Sequence, residues 1–101
     1  MQFRSKTTMD VTEAYLSGRM EFTDHEKLRE LINLLDNIPS RCFILDVEDL
    51  EFIDSAGLGM LLILEEEANE RQIDLSIRHP RGSVLRSLML ARFHDILTVL
   101  Q

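Results

Sequence analysis

From Cys42 onward the chain alternates two hydrophobic periods, and few architectures accept that alternation. Residues 42–47 form a short apolar run of the kind that makes a strand buried on both faces. Leu50, Phe52 and Ile53 follow beyond the acidic pair Glu48 and Asp49. A helical segment opens at Asp54 and runs to about Arg71. Ile73, Leu75 and Ile77 alternate with Asp74 and Ser76, the pattern of a strand with one wetter face. His79-Pro80-Arg81-Gly82 predicts a turn, residues 83–90 a third helix, and residues 96–99 a last strand. Strand–helix–strand units cross right-handed and lay parallel strands under their helices. The expectation is a small α/β domain filling residues 1–101.

The first 40 residues are less sharply patterned. Residues 14–22 read as a strand pair, or a strand and turn, with Gly18 as the break. Thr23 and Glu26 match a capping box, in which hydroxyl and carboxylate each satisfy a free backbone N–H. Behind them Leu28, Leu31, Ile32 and Leu35 recur at helical spacing, and Pro39 closes the segment.

Composition removes several classes. With 101 residues, 45% of them hydrophobic, the chain has material for one core and is too apolar for a disordered segment. Cys42 has no partner for a disulfide framework. The longest apolar run, residues 60–64, is too short to span a bilayer, and residues 1–11 lack a signal-peptide core, so a cytoplasmic protein without membrane attachment is expected. The net charge of −7 argues against nucleic acid as a partner. Residues 1–70 hold 6 basic and 16 acidic side chains, whereas residues 71–101 hold 5 arginines and 2 acids. That is either a solvated acidic face or one that steers a basic protein partner.

Function in an α/β sheet collects where strands give way to helices. Asp54-Ser55-Ala56-Gly57-Leu58-Gly59 lies at such a junction. Ser55 suits an N-cap or first-turn position, where a hydroxyl meets free N–H groups. Ala56 and Gly57 leave that hydroxyl clear of neighbours. Each glycine in a first turn costs roughly 1 kcal/mol relative to Ala, so something other than helix stability favours them. From the residues alone, a plain capped helix packed tightly on its strand and a surface on which a partner lies flat both stand.

Phe52-Ile53-Asp54-Ser55-Ala56-Gly57-Leu58-Gly59, preceded by Phe43-Ile44-Leu45-Asp46-Val47, resembles the signature of the STAS family of anti-sigma-factor antagonists and their relatives. Leu16-Ser17-Gly18-Arg19-Met20-Glu21 is similar to the strand and turn before that family's first helix. The resemblance implies a mixed sheet of four to five strands with helices mainly on one side, and a monomer that binds partners without a cofactor. It implies that Ser55 is a phosphoacceptor and that Asp54, Ser55, Ala56, Gly57, Leu58, Gly59 and Met60 meet the partner. That partner is an anti-sigma factor that is itself a serine kinase; the unmodified chain binds it and frees the sigma factor, and a metal-dependent serine phosphatase restores the binding form. Two departures stand out: the polar start leaves the first strand abbreviated or displaced, and Arg92 stands where many relatives carry glycine. The resemblance also admits a regulatory or scaffold subunit acting on a signalling enzyme, a stress-signalling complex or a transporter.

Other classes fit less well. A serine hydrolase elbow needs Gly-x-Ser-x-Gly, and position 53 is Ile53. A receiver domain has a late lysine, and none follows Lys27. Cys42, His25, His79 and His94 show no ligand spacing, so no metal site is expected, and no enzyme.

Overall fold

The computed structural model describes residues 1–100. A strand at Gln2–Thr7 (β1) turns back into Thr12–Met20 (β2). A 3-10 turn at Phe22–Asp24 leads into helix α1, His25–Leu35. Strand β3, Cys42–Ile53, feeds helix α2, Ser55–Glu70. Strand β4, Asp74–Arg78, and helix α3, Gly82–Leu90, precede a 3-10 turn at Phe93–Asp95 and a short strand β5, Thr98–Leu100.

The strands lie in chain order, β1-β2-β3-β4-β5, with β1 antiparallel to β2 and the other neighbours parallel. Each crossover therefore advances one strand in the same direction. Right-handed crossings then place all three helices on one face. Burial follows. Leu16, Phe43, Leu45, Val47 and Ile77 point into the helices and are buried with Leu31, Leu64, Val84 and Leu88. Burying each such side chain stabilises the fold by roughly 1.5–3 kcal/mol. The opposite face carries Glu13, Tyr15, Ile44, Asp46, Ser76 and Arg78, and no helix covers it.

The expected small α/β domain, with a mixed sheet and helices on one side, is the fold observed. Several local expectations change. The polar N-terminal segment makes a full six-residue edge strand, paired from Gln2↔Ser17 to Thr7↔Thr12. Main-chain hydrogen bonds hold it, and Phe3 is its apolar contact with the core. Gly18 does not break β2. It sits at φ +84°, next to a register shift against β3, and the strand continues to Met20. β3 runs straight through Glu48 and Asp49 to Ile53, twice the length of its apolar run. Thr23 and Glu26 do not cap α1; Asp24 accepts the Glu21 N–H at 2.7 Å, and the helix begins one residue later. The last strand starts at Thr98, leaving Ile96 exposed.

Arg92 occupies the residue after the C-cap of α3 at φ +58° and ψ +37°. A left-handed backbone costs a non-glycine residue about 1–2 kcal/mol, which is why helices commonly end on glycine here. Its guanidinium reaches Asp95, an exposed pair worth little. Arg92→Gly is therefore expected to raise the unfolding free energy by about 0.5–1 kcal/mol, read from the midpoint of urea denaturation. An unchanged or lower midpoint contradicts this.

Candidate functional site at the β3–α2 corner

β3 ends at Ile53, and the chain turns through Asp54 into α2. Asp54 is extended, at φ −95° and ψ −177°, and is the N-cap. Its Oδ1 accepts the Gly57 N–H at 2.7 Å, and its own N–H donates to the Met20 carbonyl of β2 at 3.2 Å. An aspartate here both satisfies a free N–H and sets negative charge at the positive end of the helix dipole. The cap frees Ser55, which is the first residue of α2 and exposed.

The two glycines play different parts. A Cβ on Gly57 would lie 2.6 Å from the Met20 carbonyl oxygen and 2.7 Å from Ile53 Cγ1. Gly57 is buried where the first turn of α2 presses on the end of β2, so tight helix–strand packing explains it. A Cβ on Gly59 meets nothing within 4 Å. No intramolecular contact requires glycine at 59. Ser55, Gly59 and Ile63 fall at four-residue intervals, so they share one side of the helix. Gly59 makes a low saddle between an exposed hydroxyl and an exposed Ile63, and Leu62 is 38% exposed beside them.

The predicted partner segment thus divides. Ser55 is exposed, and Asp54, Ala56, Leu58 and Gly59 are half-buried along the corner. Gly57 faces inward, and Met60 is only 2% exposed. Met60 is packed into the core. Phe22, which no sequence motif singles out, is 66% exposed in the turn just after β2. Its ring meets His25 edge-on at a centroid distance of 5.3 Å. The available signal was an aromatic residue immediately before the helix-capping cluster. Phe22 on this turn and Leu62 and Ile63 on α2 thus leave apolar surface exposed on the elements that flank the corner.

One Asp54 oxygen is committed to the helix N-terminus, and His25, His79 and His94 come from three other segments. Arg19, at the end of β2, stacks on the Phe52 ring at 4.2 Å and pairs with Glu21. Cys42 is half-buried at the start of β3. Among the described residues no helix is long and apolar enough to cross a membrane.

A sequence model of the STAS domain matches residues 2–101. A STAS-domain containing protein of Pseudomonas aeruginosa is 25% identical over 84 residues, covering 83% of this chain and 82% of that one. The structure of the anti-sigma factor antagonist SpoIIAA in its unphosphorylated form superposes with a TM-score of 0.80 at 17% identity, over 99% of this chain and 89% of that one. The phosphorylated form of this Bacillus cell fate determinant gives 0.71 at 18% identity, over 99% and 92%. A sulfate transporter family protein from Wolinella succinogenes gives 0.79 at 19% identity, over 94% and 80%. These structures share the fold.

Proposed function

The chain belongs to the STAS family, and from that premise we propose that it is a phosphorylation-switched anti-sigma-factor antagonist of the cytoplasm, a binding protein rather than an enzyme. In this reading the unmodified chain, as a monomer, docks the β3–α2 corner on an anti-sigma factor that is also a serine kinase, and so releases the sigma factor. ATP-dependent phosphorylation of Ser55 ends the interaction, and a metal-dependent serine phosphatase restores it.

The observation that carries this reading is the exposed Ser55 at the start of α2, level with Gly59, whose missing side chain no internal contact demands. A helix N-terminus tolerates a phosphate on its own first residue. A partner pressed flat on the same corner does not. That SpoIIAA exists in phosphorylated and unphosphorylated forms on the same fold supports a two-state switch.

The test is retrieval of partners from the native lysate with the wild-type chain and with Ser55→Ala, followed by mass spectrometry of the partners and of the Ser55 peptide. A serine kinase of the histidine-kinase-like ATPase type, retained by both baits, is the expected result. Recovery of membrane-transport components in its place contradicts the proposal.

A further inference from the structure

The uncovered face of the sheet gathers a second group of side chains, remote in sequence. Asp46 and Glu48 stand two residues apart on β3 and so share a face, and His79 follows the end of β4. His79 Nδ1 lies 3.1 Å from Asp46 Oδ2 and 3.4 Å from Glu48 Oε1. One donor atom from each of the three falls within 4.8 Å of the others. Ligand atoms about 2.1 Å from a common ion lie about 3.0 Å apart in octahedral and about 3.4 Å apart in tetrahedral coordination. The two separations from His79 Nδ1, 3.1 and 3.4 Å, match that spacing.

The geometry points to a site for one divalent transition-metal cation, held by Asp46, Glu48 and His79. The set of one imidazole and two carboxylates suits a borderline ion such as Zn²⁺ or Co²⁺ better than Mg²⁺ or Ca²⁺, which prefer oxygen alone. Asp46 is the fixed member. Its side chain is 8% exposed, its Oδ1 accepts the Glu48 N–H at 3.0 Å, and its Oδ2 accepts Arg78 Nε at 2.9 Å. The other lone pair of Oδ2 faces His79 Nδ1 in a hydrogen bond of 3.1 Å, and a metal would take the place of the imidazole proton between them. Ligating carboxylates are commonly oriented by such donors. The His79 N–H donates to the Leu100 carbonyl at 2.8 Å, which ties the imidazole's backbone to β5. Glu48 and His79 face solvent, so water can complete the coordination.

The surrounding charge permits a cation. Arg78 is divided between Asp46 and Glu13, which accepts its Nη2 at 2.6 Å, and Arg81 donates Nε to the Glu48 carbonyl. Glu13, Asp46 and Glu48 set against Arg78 and Arg81 leave one net negative charge among these five side chains.

The experiment is calorimetric and visible-absorption titration of the full chain with Co²⁺, repeated with Zn²⁺, near neutral pH. The variants are His79→Ala, Glu48→Gln, His94→Ala and Cys42→Ser. One saturable equivalent is expected for the wild type, with affinity lowered at least about tenfold by both His79→Ala and Glu48→Gln and unchanged by His94→Ala and Cys42→Ser. Glu48 is exposed, so Glu48→Gln reports on binding even where His79→Ala disturbs the fold. Failure of the wild type to saturate at millimolar metal overturns the proposal. So does wild-type affinity in either Glu48→Gln or a folded His79→Ala, which marks the binding as adventitious. Partner binding is not read, so the result is independent of the role of Ser55.

Discussion

Phosphorylation of Ser55, or Ser55→Asp, is expected to weaken binding of the partner kinase by about a hundredfold or more while leaving the fold's stability nearly unchanged. The asymmetry comes from where the charge is placed in each state. In the free chain the phosphate adds about −1.5 to −2 charges at a solvent-exposed helix N-terminus, which favours anions by roughly 0.3–1 kcal/mol. In the complex the same oxygens would lie under a protein surface shaped for a neutral hydroxyl and the Gly59 saddle, with the Asp54 carboxylate adjacent. Leaving a buried charge without a partner costs about 3–5 kcal/mol, and each 1.4 kcal/mol is about tenfold in affinity. Ser55→Ala keeps the small neutral surface and is expected to bind like the wild type. Titration calorimetry with the partner measures all three forms, and urea denaturation checks stability. Equal affinities for the Ser, Ala and Asp forms contradict the account.

The two glycines of the corner should respond in opposite senses. For Gly57→Ala the new methyl group meets the Met20 carbonyl at 2.6 Å, and backbone on a central strand cannot swing aside as a side chain can. Alanine gains about 1 kcal/mol of helix propensity, but the overlap must be relieved by shifting α2 off β2. Overpacking of this kind costs about 1–3 kcal/mol and sometimes more, so we expect a net loss of stability of about 2 kcal/mol and a tilt of the helix that carries Ser55. At Gly59 no atom opposes a methyl group, so Gly59→Ala should stabilise the isolated chain by up to about 1 kcal/mol. The same methyl group stands in the saddle. Partner affinity is expected to fall despite the gain in stability. Thermal denaturation separates the two variants, with one kcal/mol corresponding to about 4–8 °C for a domain of this size. A destabilised Gly59→Ala, or a Gly57→Ala as stable as wild type, would overturn the division of roles.

What the chain discloses before folding depends on whether a residue's reason lies nearby. Leu28, Leu31 and Leu35 share one helical face, and all three are buried. The alternation of Leu75 and Ile77 with Asp74 and Ser76 is equally direct. β1 escapes such reading because it is an edge strand held by main-chain bonds, which leave little mark on side-chain choice. The second half of β3 is disguised by Glu48 and Asp49, which face outward beside a shift in register. Gly57 and Gly59, two positions apart, look alike in sequence, yet the reason for Gly57 is the carbonyl of Met20, 37 residues earlier. Met60 reads as part of the corner but turns inward with Leu61 and Leu64, because a helix on one sheet must bury one side. The meeting of His79 with Asp46 depends on the parallel pairing of β3 and β4, and no spacing rule anticipates it.

The most direct examination of the switch is phosphotransfer itself. The purified chain is incubated with its partner kinase and ATP, and intact mass and peptide fragmentation are followed over time. The expected result is addition of a single phosphate, located on Ser55, abolished in Ser55→Ala and accompanied by release of the kinase. Phosphate on another residue, or a kinase that remains bound after Ser55 is fully modified, would contradict it.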